Sequence, residues 1–287
     1  MTMNDFRPQT IGSLAPAALE AIYAQRSDGG ILGLSTGFAD LDRCLDGLHR
    51  GDVVAIAGRP SMGCSTLALN IALNAATREH RSVLVVSPGV GGLATATTLL
   101  CMHAKVGARW GGHPALLPDR RARLEQACLD LETVRLSIFA RANPTVDEVD
   151  ECAMSVAASS GLDLIVIDDV ENFIYTDMSG WLKRLALAHS VPVLVVAGIG
   201  RGPELRRNKR PRLSDLSSSR TWAVADADVV LFLYRDEYYY ADAAGNPGIA
   251  EVLLARHPSG RRGVVKLAVS KPFGWFEDAV DDEGLDI

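Results

Sequence analysis

Five continuous apolar runs, separated by segments of helical spacing, constrain what this chain can fold into more than any other feature. They fall at residues 53–57 (VVAIA), 83–86 (VLVV), 164–167 (LIVI), 191–196 (VPVLVV) and 229–233 (VVLFL). A strand with one wet face alternates apolar and polar residues, whereas an unbroken apolar run needs cover on both faces, as buried parallel strands have. Helical patterns occupy the intervals, at 66–77, 93–105, 119–131 and 145–158. The last opens with Thr145-Val146-Asp147-Glu148, a capping box in which the Thr hydroxyl and the Glu carboxylate satisfy free backbone donors. Runs at 249–254 and 264–269 flank Ser259-Gly260-Arg261-Arg262 and predict a hairpin. The alternation predicts an α/β fold, a mainly parallel sheet flanked by helices.

With 287 residues, 48% of them hydrophobic, the chain is long enough to bury a large core without disulfide staples. The formal charge of -6 argues against a protein that coats DNA by overall charge, while leaving room for a local basic contact. The five cysteines (Cys44, Cys64, Cys101, Cys128 and Cys152) are scattered with no C-x-x-C pair, the usage of a reduced cytosol. The histidines show no ligand spacing. The apolar runs are strand-length, short of the roughly 18 residues of a membrane helix, and the N-terminus lacks the pattern of a signal peptide. The expected location is cytoplasmic, with no membrane partner. Residues 1–30 read as a polar segment and a linker helix capped by Ser13, with Ala17, Leu19, Ile22 and Tyr23 at helical spacing. Such a short helix is marginal alone, so it must dock on its own domain or on a neighbouring subunit. Residues 31–276 read as one α/β domain. Residues 277–287 hold six acids and no base, an acidic tail that carries the whole net charge.

The strongest local signal is Gly58-Arg59-Pro60-Ser61-Met62-Gly63-Cys64-Ser65-Thr66, between a predicted strand and a predicted helix. In that setting G-x-x-x-x-G-K-[ST] cradles phosphate: the glycines permit a tight turn, and backbone N–H groups with the helix N-terminus face the anion. Ser65 stands where a hydroxyl holds Mg²⁺, but Cys64 stands where a lysine should meet the phosphates. The plain alternative is a strand–helix turn with no ligand. The run Leu164-Ile165-Val166-Ile167-Asp168 matches a Walker B strand, whose carboxylate orients Mg²⁺; alone, it is also how a buried strand ends at a cap. Together they nominate Gly58, Arg59, Ser61, Gly63, Cys64, Ser65, Thr66 and Asp168 for ATP, with Ser65 and Asp168 for the metal. A thiol at a helix N-terminus also invites a nucleophile or redox reading of Cys64, without a His–Asp arrangement to support it.

A longer co-linear set carries a family resemblance: Leu34-Ser35-Thr36-Gly37-Phe38-Ala39-Asp40-Leu41-Asp42, Gly47-Leu48, Arg59-Pro60-Ser61-Met62-Gly63, Lys209-Arg210-Pro211, Ser214-Asp215-Leu216, Asp226-Ala227-Asp228 and Tyr234-Arg235-Asp236-Glu237. Over residues 30–276 the chain resembles the C-terminal, RecA-like P-loop NTPase domain of the DnaB replicative helicases, and residues 13–30 resemble their linker helix. The resemblance implies ATP and Mg²⁺ as cofactors, single-stranded DNA as a partner, and a homo-oligomeric, hexameric ring. It also exposes departures. The family's Walker A lysine is Cys64. Its catalytic glutamate falls on Gly89 and its glutamine sensor on Gly198. Its trans-acting pair, a lysine and an arginine finger, falls on Arg256 and Pro258. The DNA-facing Asp-Leu-Arg-Glu-Ser-Gly becomes Asp215-Leu216-Ser217-Ser218-Ser219-Arg220.

Losing one charge-assisted bond to phosphate costs about 1.5–3 kcal/mol, or roughly 10- to 150-fold in affinity. Losing an arginine finger costs about 10³–10⁵ in rate. These magnitudes predict weakened ATP and Mg²⁺ binding, Arg256 retained for a neighbour's nucleotide, and poor hydrolysis: a degenerate motor, or pseudoenzyme, in a DNA process. One alternative is an active helicase with relocated groups, Arg59, Arg261 or Arg262 reaching phosphate and Asp169 or Glu171 orienting water. Another is an interaction module that needs no nucleotide. The dense basic stretch Arg201, Arg206, Arg207, Lys209, Arg210 and Arg212 reads either as a solvated loop or as a sequence-blind phosphate contact. The nucleic-acid candidates are Arg206, Arg207, Lys209, Arg210 and Arg220. Tyr238-Tyr239-Tyr240 reads as packing or as a base-stacking platform.

Overall fold

The run at 53–57 becomes β1 (Val53–Gly58), buried at every residue. It is paired in parallel with β5 (Val193–Gly198) on one side and β6 (Val229–Tyr234) on the other. The computed structural model describes residues 10–24, 31–107, 118–173, 180–218, 224, 227–240, 247–270 and 274–279. Within them, β2 (Val83–Val86) and β4 (Leu164–Ile167) match the expected runs. A short half-buried strand, β3 (Leu136–Phe139), adds an edge that its composition does not announce. After β6 the sheet turns antiparallel through β7 (Ile249–Arg256), β8 (Gly263–Ser270) and β9 (Trp275–Asp278). The nine strands form one sheet in the order β3-β2-β4-β5-β1-β6-β7-β8-β9. β5 starts two residues later than the apolar run because Pro192 has no N–H to donate and the Val191 N–H is spent on the Ala186 carbonyl.

Alternate residues of β1 feed two cores. Val54 and Ile56 meet α3 (Cys64–Thr77), which is buried from Leu67 to Ala76 against one face of the sheet, with Trp275 and Phe276 of β9 in the same core. Val53, Ala55 and Ala57 pack with α6 (Val146–Ser160) and α7 (Trp181–His189) on the other face. The Thr145–Glu148 capping box forms as expected. The remaining predicted helices are α4 (Gly92–His103) and α5 (Pro118–Glu132). The motif around residue 36 builds a rigid entry to α2 (Ala39–Leu45). There the buried Asp42 carboxylate accepts from Ser35 Oγ (2.6 Å), Thr36 N (2.7 Å) and Thr36 Oγ1 (2.7 Å).

Two boundaries need correction. The N-terminal helix α1 (Ile11–Ala24) begins before Ser13. Thr10 acts as its cap, its Oγ1 accepting from Ser13 N at 3.3 Å. The expected acidic tail does not begin at residue 277. Trp275 and Phe276 are buried and draw the chain into β9, where Glu277 pairs with Lys105 Nζ at 2.6 Å and Asp278 Oδ1 accepts from Ala39 N at 3.1 Å. Asp281, Asp282, Glu283 and Asp286 lie outside the described residues. Among the described residues, no helix is long and apolar enough to cross a membrane.

Candidate functional site

Parallel strands bring their carboxyl ends to one edge of the sheet, and a cleft of about 400 Å³ opens there. It is lined by Gly58, Arg59, Pro60, Ser61, Gly63, Cys64, Ser65 and Thr66 from the loop, with Asp169, Glu171, Val196, Ala197 and Gly198 from the ends of β4 and β5. The buried Met62 anchors the loop in the core (1% exposed), while Ser61 takes a left-handed φ of 68° at its tip. Gly63, the N-cap of α3, has φ 103° and no side-chain cap, so the first N–H groups of the helix are left for the cleft. A Cβ on Gly63 would meet Phe276 Cζ at 2.9 Å. The loop is therefore braced from behind by β9.

Asp168 and Ser65 are the residues that could hold a metal beside the loop. Asp168 is 8% exposed, and its Oδ1 is buried without a hydrogen-bond partner among the described residues. Burial raises its carboxyl above the usual range, a hydrogen bond from Ser65 opposes this, and the neighbouring Asp169 charge adds to it. An orphaned carboxylate oxygen beside a hydroxyl suits Mg²⁺, which takes one or two protein oxygens and completes its shell with water and phosphate. The phosphate half keeps its backbone and lacks its cation. Cys64 Sγ turns inward, only 2.7 Å from where a Cβ on Gly58 would stand. Burial pushes its thiol up to about 12, with Asp168 adding to the rise and the residue's own backbone N–H opposing it. Desolvation thus outweighs the helix terminus and favours the neutral thiol at Cys64.

Of the rescue groups, Glu171 is the one whose carboxylate reaches the cleft without a partner among the described residues. Arg59 lines it, but its guanidinium is held by Glu204 (2.8 and 2.9 Å) and the Ile199 carbonyl (2.8 Å). Asp169 lines it too, yet accepts from Glu171 N (2.9 Å) and Asn172 Nδ2 (2.8 Å). Arg261 and Arg262 cannot serve this chain's own loop. In register, Arg256 opposes Val230 while Gly58 pairs with Leu233, so the β7–β8 turn lies at the opposite edge of the sheet. Arg256 and Pro258 share that edge, and Arg256 donates to the Ala227 carbonyl at 3.1 Å. Gly89 takes φ 73°, a conformation that a glutamate there would adopt only under strain.

The basic stretch changes most. Arg206 forms a bidentate pair with buried Asp215 (2.8 and 2.9 Å), and Arg210 one with Glu251 on β7 (2.6 and 2.6 Å). Lys209 donates to the Glu204 carbonyl at 2.8 Å and sits 5.6 Å from the centre of the Tyr239 ring. The two arginines are committed to acidic partners and Lys209 to backbone carbonyls and a ring. Arg201, Arg207 and Arg212 are exposed; Arg220 lies outside the described residues. Tyr239 packs against Tyr234 with ring centres 5.9 Å apart, while Tyr238 and Tyr240 stay exposed. Two features of the site escape sequence reasoning, the approach of Glu171 to Gly198 and the bracing of Gly63 by Phe276. No spacing along the chain links either pair.

The sheet order, the loop after β1 and the acid after β4 define the class: a RecA-like ATPase domain. The model of the DnaB-like helicase C terminal domain family matches residues 33–278, and the chain belongs to that family. It is similar to the replicative DNA helicase DnaB of Geobacillus stearothermophilus, with 33% identity over 261 residues, covering 87% of this chain and 57% of the relative. It is equally similar to the replicative DNA helicase DnaC of Bacillus subtilis (strain 168), with 33% identity over 282 residues, 93% of this chain and 61% of the relative. It thus spans about three fifths of the length of these relatives. Among solved structures, an ATPase domain superposes with a TM-score of 0.86 at 28% identity, covering 95% of this chain and 100% of that one. A DnaB-like replicative helicase solved with its primase interactions gives 0.83 at 28% identity, covering 96% and 68%.

Proposed function

We propose that the protein is a ring-forming DnaB-like domain that binds Mg²⁺–ATP weakly, hydrolyses it slowly, and serves a regulatory or structural role in a cytoplasmic DNA process. The observation that carries this reading is the split between two neighbouring parts of one sheet end. Ser65 and the orphaned Asp168 oxygen retain the metal half, while the neutral, inward-turned Cys64 removes the cation from the phosphate half. When bound, Mg²⁺ would supply positive charge to offset that of the phosphates. The chain's own residues do the rest: the open N–H groups of α3 receive phosphate, and Ser65 and Asp168 hold the metal. Arg256, on the far edge of the sheet, would face a neighbour's nucleotide in a ring. The apolar residues Ile11, Leu14 and Leu19 of α1, exposed at 80%, 45% and 49%, support docking of that helix on an adjacent subunit. Exposed Arg207 supports single-stranded DNA contact beside Tyr240.

The test is ATP binding and hydrolysis, with and without single-stranded DNA, with light scattering for subunit number. Weak binding, slow DNA-insensitive turnover and a multi-subunit mass are expected. Strong DNA-stimulated turnover would sink the impaired-motor reading. A monomer that binds no nucleotide would favour a module that uses the fold alone.

A further inference from the structure

We infer that Glu171 is the carboxylate that orients and deprotonates the attacking water in whatever triphosphate hydrolysis this cleft performs, an inference that rests on the nucleotide reading above. Gly198 is in register with Gly58, the first residue of the phosphate loop. Because Gly198 has no side chain, the space beside it is taken by Glu171, whose Oε1 lies 2.9 Å from where a Cβ on residue 198 would stand. Both residues line the loop's cleft. Glu171 is not held there loosely. It sits in a 3₁₀ turn, Val170–Asn172, whose N-cap Asp169 accepts from Glu171 N at 2.9 Å while adopting a left-handed φ of 76°. A non-glycine residue in that region costs free energy that its surroundings must sustain. Here the strained Asp169 aims the next-but-one carboxylate across the end of β5. With glycine at 89, two carboxylates line the cleft among the described residues, and Glu171 is the one not tied up in the turn, as Asp169 is.

The step balances without any further reagent. Glu171 takes one proton from water as the water oxygen bonds to the terminal phosphorus. The bond from that phosphorus to the bridging oxygen breaks, its electron pair staying on the diphosphate. The proton then passes to solvent, leaving nucleoside diphosphate, inorganic phosphate and one proton.

Two variants of the full chain test this with Mg²⁺–ATP, using phosphate release for turnover, a nucleotide titration for affinity, and thermal melting to verify the fold. Glu171→Gln is expected to lower turnover by about 100-fold or more with affinity unchanged or tightened, since it removes a negative charge beside the phosphates. Gly198→Ala keeps Glu171 but places a methyl 2.9 Å from its carboxylate oxygen, which must swing away; turnover is expected to fall by up to about 100-fold, again with affinity kept. Unchanged turnover in either variant overturns the inference. So does a matching loss of affinity in Glu171→Gln, which would mark a structural role, and so does a wild-type protein that binds nucleotide without turning it over. Wild-type protein that binds no nucleotide is the separate failure of the underlying reading, seen in the titration alone.

Discussion

Restoring the missing cation at position 64 is the sharpest probe of the phosphate loop. In Cys64→Lys, the loop backbone, Gly63 at the N-cap and the Ser65–Asp168 pair remain. What changes is one half-buried thiol whose sulfur fills the space over Gly58. An ammonium cannot stay there unpaired, so the longer side chain must turn toward the cleft that Cys64 already lines. One charge-assisted contact to phosphate contributes about 1.5–3 kcal/mol, so affinity for Mg²⁺–ATP should rise roughly 10- to 150-fold. Losing the packed sulfur costs the fold about 1 kcal/mol, small beside that gain. Titration of a fluorescent nucleotide at fixed salt measures it, with Cys64→Ala as the uncharged control that should stay within about threefold of wild type. If the lysine variant binds no more tightly than the alanine control, phosphate does not sit on this loop.

Asp168→Asn tests the metal half. A carboxyl raised by burial in the folded state makes the fold lose stability as pH climbs from the unfolded carboxyl range, about 4, through the folded value. The nucleotide-free Asn variant should therefore melt above wild type at pH 7, lose that advantage below about pH 4, and no longer be stabilised by Mg²⁺–ATP; calorimetry showing equal nucleotide-free melting would refute the burial argument. Arg206→Ala should cost about 1–3 kcal/mol in denaturant unfolding by removing the bidentate guanidinium from buried Asp215, which keeps its bond from Arg212 N. Arg207→Ala should leave stability alone, weaken single-stranded DNA binding, and reduce the salt slope by about one; the reverse pattern would put the DNA contact on Arg206. Phe276→Ala should destabilise by about 3–5 kcal/mol and also weaken nucleotide binding through Gly63. Unaltered nucleotide affinity in a folded variant would show that β9 does not brace the loop.

The parallel half of the sheet was legible because its strands are buried on both faces and so read as unbroken apolar runs. β3 was not, since its residues are only half-buried at an edge, and α7 was hidden beside a stretch without clear periodicity. The basic loop misled for a different reason. Lysine and arginine counts carry no record of partners, and Asp215 and Glu251 reach Arg206 and Arg210 only once the chain has folded. Residues 277 and 278 looked like tail because their acids are solvent-facing, while the apolar pair before them, Trp275 and Phe276, does the anchoring.

From the residues alone came the loop, the acid after β4, the co-linear motifs and every departure at Cys64, Gly89, Gly198 and Pro258, because local chemistry and spacing write them into the chain. The fold alone decided which of the remaining charges can reach the cleft. Register sends Arg256, Arg261 and Arg262 to the far edge, Glu204 captures Arg59, and the gap left at Gly198 admits Glu171. Each of these depends on neighbouring parallel strands that are distant in sequence. Adjacency of that kind is created by the sheet and is encoded in no single segment.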